Sequence, residues 1–282
     1  MSTTARFETM NAVEYAPQGS VVVNACKSAN VEPPPVDWIM SEKFDGQRGV
    51  WNGLKREMRT REGHIVNIPD DFEKVLPKGI ILDGELIAGK RRQNIGIFRR
   101  KNPTKEDWLA AGAKFVVFDS IDPIKQFDKR WKDAKKAVSA PREPGLPNWV
   151  TLPAQVLCRS PADLDAFFAE VKGNGGEGVV LRAPNSPYVQ GRSGLLLKRK
   201  VEDVEDMPVV RVIEGKGRRE GKIGTIEVTF PRNRTKVKVG VLSGTEHWEK
   251  GDIARVRFRG VSVDGVPQHA TLVSHKPINK LI

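Results

Sequence analysis

Apolar residues in this chain come in short runs rich in valine and isoleucine, cut apart by glycine, proline and charge, and such a pattern is satisfied by pairing many short strands. The spacing predicts mostly antiparallel sheets with flanking helices, an α+β fold in two domains. Two stretches read as helix. Residues 160–172 offer Ser160 as a cap, Pro161 in the first turn and Leu164, Phe167, Phe168 and Val171 at helical spacing before Gly173. Residues 126–140 fit a helix exposed on one side and anchored by Trp131. The acidic stretch 201–208, ending in Pro208, reads as a hinge.

After the hinge, strand-like runs at 209–213, 224–230, 235–239, 253–258 and 271–273 supply about the five strands of a small OB-fold β-barrel, so the expected domains are 1–203 and 204–282. In the fourth run Arg255, Arg257 and Arg259 alternate onto one face.

The chemistry-bearing clusters lie before that point. Lys43-Phe44-Asp45-Gly46-Gln47-Arg48 sets one amine among acids, beside a glycine and before an arginine. An amine at a phosphate is activated by cationic neighbours and partial desolvation. Asp45 could orient it, Gly46 would let backbone approach a bulky ligand, and Arg48 is a planar fork suited to a phosphate. Leu82-Asp83-Gly84-Glu85-Leu86 reads as a buried strand handing two carboxylates to a site at its end. Gly175-Gly176-Glu177-Gly178 is a glycine-rich turn entering a β-branched strand. Leu197-Lys198-Arg199-Lys200 closes an apolar run with cations, and period-two alternation puts Lys198 and Lys200 on one face, a pair that suits a polyphosphate.

Taken in order, these clusters resemble the motifs of the covalent nucleotidyltransferases, specifically short ATP-dependent DNA ligases of the bacteriophage type. Thr60-Arg61-Glu62-Gly63 and Phe115-Val116-Val117-Phe118-Asp119 join the set, which spans about Ser41 to Lys200. The resemblance implies an adenylation domain of ATP-grasp-like antiparallel sheets followed by the OB-fold domain. It implies that Lys43 carries AMP, with Lys198 and Lys200 neutralising the phosphates as the other catalytic groups. Glu42, Arg48, Arg61, Glu85, Phe118 and Glu177 would hold the nucleotide, Phe118 by stacking on adenine, while Glu85 and Glu177 would meet Mg²⁺ or Mn²⁺. The usual carboxyl-terminal motif carries an arginine that orients pyrophosphate; the equivalent stretch ends at Lys276, a point charge in its place.

Other readings of some residues stay open. Phe118 alone would be a core aromatic, and Arg61 alone part of a charged hairpin. Arg99 and Arg100 are either a solvated loop or a contact to a DNA backbone. Lys216, Arg218, Arg219 and Lys222, in a glycine-rich loop, are either a solvated hairpin or phosphate ligands. The net charge of +12 is the footprint of a protein that follows a phosphate backbone. Nicked duplex DNA and ATP are the expected partners of a monomer. Cys26 and Cys158 stand far apart, the four histidines lack metal-ligand spacing, and no apolar run is long enough for a membrane span. A reducing, cytoplasmic setting is expected, the host cytoplasm if the gene is phage-borne. The rival functions are an RNA ligase, an mRNA-capping guanylyltransferase, whose fourth motif generally begins with Asp where Glu177 stands, and a non-enzymatic OB-fold nucleic-acid binder.

Overall fold

The computed structural model describes residues 9–14, 36–89, 95–241, 247–262 and 264–277. Among them, packing divides the chain after Lys200 into two compact units. In the first unit one sheet is built from β1 (Met10–Glu14), β2 (Trp38–Glu42), β9 (Val156–Cys158), β10 (Gly178–Arg182) and β11 (Gly191–Lys200), in the order β1-β11-β10-β2-β9. The other contains β3 (Gln47–Asn52), β4 (Glu57–Arg59), β5 (Ile65–Val66), β6 (Ile81–Ala88), β7 (Ala113–Ser120) and β8 (Val150–Thr151), in the order β5-β4-β3-β6-β7-β8. The pairings are antiparallel except β1 with β11 and β7 with β8.

Alternation along these strands sends Leu82 and Leu86 of β6 and Phe115 and Val117 of β7 into one core, where α1 (Asp70–Lys74), α2 (Lys105–Ala110) and α3 (Phe127–Val138) add Phe72, Trp108 and Ala134. Trp131 packs against that core from α3, as expected of an anchor. The predicted helix at 160–172 is α4 (Pro161–Gly173), and Ser160 Oγ accepts the Asp163 amide at 3.1 Å, a cap worth about 1 kcal/mol. Its Leu164 and Val171 cover Met40, Val179, Leu181 and Leu197 of the first sheet. The α2 helix was not legible in the apolar pattern: it is a short turn of helix set by a reciprocal Thr104–Asp107 capping box.

The second unit contains β12 (Asp203–Glu214), β13 (Ile223–Thr229), β14 (Lys236–Gly240), β15 (Ile253–Phe258) and β16 (Thr271–Lys276). The five expected strand runs all fall on these elements. Their order, β14-β13-β12-β15-β16, leaves β14 and β16 as edges, so the described strands form an open sheet where a closed barrel was expected.

The acidic hinge is also corrected. Residues 203–208 are the first half of β12, paired with β15, while the second half pairs with β13. The reason is charge across the ladder: Glu202 receives Arg257 at 3.3 Å and Arg259 at 3.0 Å, and Asp206 receives Lys276 at 2.7 Å with Arg255 at 3.8 Å. The arginines that alternate along β15 are thus engaged by their own sheet. No helix among the described residues is long and apolar enough to cross a membrane.

Candidate active site

Strand register builds the first half of the site. β2 runs antiparallel to β10, and the Lys43 amide, just past the end of β2, donates to the Gly178 carbonyl at 2.8 Å. Gly178 in turn faces Lys200 across β10 and β11. Three neighbouring strands therefore bring Lys43, Glu177 and Lys200 into one row. The Lys43 ammonium donates to Glu177 Oε2, and Lys200 stands 3.7 Å from Glu177 Oε1. Each of these side chains is about one-fifth exposed, dry enough for charges to act and open enough for a ligand to enter. Lys198 shares the face of Lys200, while Arg199 points the other way, bonding Asp165 and lying 4.1 Å over the Phe168 ring of α4. Glu42, half-buried at the end of β2, has its carboxyl raised above the usual range by burial.

The second sheet supplies the other half. Arg48 on β3 lies opposite Glu85 on β6 and donates through Nε and Nη2 to both oxygens of Asp83. Its guanidinium lies 4.9 Å over the Phe118 ring, so this half-buried phenylalanine borders the charged cluster as well as its own strand. Asp83 and Glu85 lie in mid-strand, not at the end of β6 as expected. Gly46 also serves a different purpose from the one expected of it: a Cβ there would overlap the Leu86 carbonyl oxygen and the Glu85 side chain, so glycine is required for the Lys43 loop to lie on β6.

Burial pushes the Glu85 carboxyl up to about 7, against the pull of Arg48 and Lys43; Glu177 adds to the rise and the cation of Arg61 opposes it. Arg61 itself is exposed on the turn between β4 and β5, where the Thr60 amide donates to the His64 carbonyl at 2.8 Å. Between about pH 4.5 and 7 the folded chain therefore holds a proton on Glu85 that the unfolded chain, with an ordinary value of 4.5, has released. Stability set by this group falls as pH rises from about 4.5 to 7 and is level above that. Urea unfolding of the wild type and Glu85→Gln across this range should show the variant gaining on the wild type up to about pH 7. Parallel curves would contradict the assignment.

The remaining expected residues lie elsewhere. Arg99 ends a short 3₁₀ turn and Arg100 pairs with Asp107 at 2.6 Å; both are exposed. Lys216, Arg218, Arg219 and Lys222 are exposed around a second 3₁₀ turn, Gly217–Arg219, where Arg219 donates to the Val241 carbonyl. Lys276 lies in β16 with its amine on Asp206. Cys158 is a buried free thiol, and Cys26 and Pro33-Pro34-Pro35 lie outside the described residues. His275 is largely buried, 2.8 Å from Asp252 and stacked on Trp248 at 3.8 Å between ring centres, a structural role as expected.

Sequence reasoning missed the support beneath Arg48. Tyr188 donates to Asp83 at 2.7 Å, and a buried triad follows in which Asp119 receives Arg182 at 2.6 Å and Arg130 at 2.9 Å. Arg182 is on β10, Asp119 on β7 and Arg130 on α3, so the triad links the two sheets of this unit. Runs of apolar residues carry no signal for such long-range pairs. The one cue was polar: Asp83, Asp119 and Arg182 each sit inside or at the end of a strand that reads as buried.

The chain is similar to known proteins in sequence and in fold. The family model described as ATP dependent DNA ligase domain matches residues 21–200. A DNA ligase of Haemophilus influenzae is 31% identical over 242 residues, 84% of this chain and 86% of that protein. A DNA ligase of Archaeoglobus fulgidus is 25% identical over 87% of this chain, which spans 48% of that longer protein. Among solved structures, one from a structure-function study of Lig E DNA ligases superposes with a TM-score of 0.75 at 25% identity, covering 94% of this chain and 99% of the other. The ATP-dependent DNA ligase of bacteriophage T7, solved with ATP, shares the fold at a TM-score of 0.51 and 13% identity, over 97% of this chain and 99% of that one.

Proposed function

The chain belongs to the family of ATP-dependent DNA ligases, and we propose that Lys43 is the residue through which it works, taking AMP from ATP and passing it to the 5′-phosphate of a nick. The observation that carries this reading is the row in which Glu177 accepts from the Lys43 amine and stands 3.7 Å from Lys200, with the charges of Lys43, Glu177 and Arg48 all acting on Glu85. To attack, the ammonium must lose a proton, and Glu177, already in contact with it, is the carboxylate placed to accept that proton. A P–N bond to the α-phosphorus then forms as the bond to pyrophosphate breaks. Lys198, Lys200 and Arg48 offset the charge that gathers on the phosphates, and Phe118 offers a face for the base. In the later steps the nick's 5′-phosphate displaces Lys43 from AMP, and the 3′-hydroxyl displaces AMP.

Glu177 in this row and Glu85 on β6 are hard oxygen donors, and no trio of His, Cys, Asp or Glu among the described residues forms a closed metal cage. That donor set fits Mg²⁺ or Mn²⁺, cations satisfied by few carboxylates together with waters and phosphates. Bound there, such a cation would lower the charge barrier to attack on the phosphate.

The second unit, which we take as the OB-fold domain, contributes a grip on duplex DNA by a monomeric enzyme. Lys216, Arg218 and Lys222, exposed on one loop, and Arg99 and Arg100 on the first unit are the phosphate ligands this assigns. Converting Lys216, Arg218 and Lys222 together to alanine should weaken binding to nicked duplex and flatten the dependence of log K on log salt by about 0.9 for each phosphate that loses its cation. A salt titration by fluorescence anisotropy that returns an unchanged slope would leave this loop out of the interface.

The function itself is tested with a duplex bearing a labelled 5′-phosphate at a single nick. Joining should require both ATP and a divalent cation. Equal joining of the same nick when its strands are RNA would favour the RNA-ligase reading, and no joining of either would sink both.

A further inference from the structure

The hydrogen bonds around Arg48 close into a ring. Arg48 donates to Asp83 and, through Nη2, to the Met10 carbonyl at 3.2 Å. The Met10 amide donates to the Tyr188 hydroxyl at 3.4 Å, and that hydroxyl donates to Asp83 Oδ2 at 2.7 Å. Asp83 and Met10 are fully buried and Tyr188 is 7% exposed. Nε and Nη2 of Arg48 are spent on this ring, while among the described residues Nη1 has no hydrogen-bond partner.

We propose that Tyr188 is a positioning residue for phosphate handling: its hydroxyl fixes the Asp83 carboxylate, and Asp83 fixes the Arg48 fork so that Nη1 is presented to a phosphate. This rests on the reading of Arg48 as a phosphate ligand given above. A carboxylate held only by one guanidinium can rock about its own side-chain torsion, because the two charged groups can rotate together. A third group bonded to Oδ2 from a separate segment removes that freedom. Burial, and beyond it the negative charge of Asp83, push the Tyr188 hydroxyl above its usual range, so it remains a neutral donor.

The aromatic ring of Tyr188 is held independently of its hydroxyl. The Arg130 guanidinium lies 5.4 Å from the ring, and Arg130 Nη1 and the Phe127 amide each donate to the Ser186 carbonyl at 2.9 Å, pinning the loop that carries it. Tyr188→Phe therefore removes one hydroxyl and leaves the loop seated.

The experiment is single-turnover transfer of AMP from saturating ATP to wild type, Tyr188→Phe, Arg48→Ala and the double variant. The expected result for Tyr188→Phe is a rate lower by about 10-fold or more with undiminished amplitude, since one bond to a charged group is lost while every molecule stays competent. In the Arg48→Ala background the same change should have no further effect. A normal rate in Tyr188→Phe, a loss of amplitude alone, or an equal loss in both backgrounds would overturn the positioning role while leaving Arg48 in place. Wild-type AMP transfer and nick joining in Arg48→Ala would instead overturn the underlying reading. Should Tyr188→Phe fail to fold, Asp83→Asn serves as the second variant: it alters the bonds of that carboxylate to both Tyr188 and Arg48, so a normal rate would overturn any role for Tyr188 acting through it.

Discussion

Replacing Lys43 with alanine should abolish transfer of AMP to the protein, a loss on the order of 10⁴-fold or more, because the group proposed to form the new bond is gone. The fold should survive. Lys43 sits just past the end of β2, its side chain is partly exposed, and its amine makes its contact with Glu177 rather than with the core. The later steps depend on it less. A nick that already carries 5′-AMP needs only a hydroxyl brought to the phosphate, so the variant should join that substrate in part. Joining of the pre-adenylated nick with failure on the ordinary nick is the expected pattern in a gel assay. Undiminished labelling of the variant from ATP would show that another amine is the acceptor.

Replacing Asp119 with alanine should destabilise the fold far more than any substitution in the Lys43 row. Asp119 is fully buried and is held by Arg130, also fully buried, and by Arg182. Burial raises the Asp119 carboxyl and lowers the Arg182 guanidinium despite their mutual attraction, so the triad adds little net stability as built. Removing its acid is a different matter, because two guanidinium groups are then left facing each other in a dry site. The expected cost is about 3–5 kcal/mol. For a unit of this size that corresponds to a fall in Tm of roughly 10 °C, readable by calorimetry. A variant that melts with the wild type would mean that water or a rearranged partner neutralises the arginines.

The parts of this structure that were legible in the sequence share a local cause. The alternation Leu197-Lys198-Arg199-Lys200 predicts which cations share a face, and in β11 Arg199 turns to α4 while Lys200 turns to Glu177. Ser160 and Pro161 mark the start of α4 through backbone chemistry that acts within one turn. The parts that were not legible depend on partners far along the chain. The acidic residues 203–208 resemble a linker until the arginines of β15 are laid beside them. The strand β1 is too short to show a period, and its place is set by parallel pairing with β11. Tyr188 lies in a loop without pattern, and its meaning comes from Asp83, 105 positions away. Which strand residues share a face could thus be read from spacing, while the buried groups that hold them in place could not.

The proposed chemistry turns on one covalent bond. Incubating the protein with α-labelled ATP or, separately, α-labelled GTP in the presence of Mg²⁺, followed by denaturing electrophoresis and mapping of the labelled peptide, tests it most directly. Label from ATP alone, stable to denaturation and located on Lys43, is the predicted result. Label on another residue, equal label from GTP, or a protein that joins nicked DNA with ATP yet never becomes labelled would contradict it.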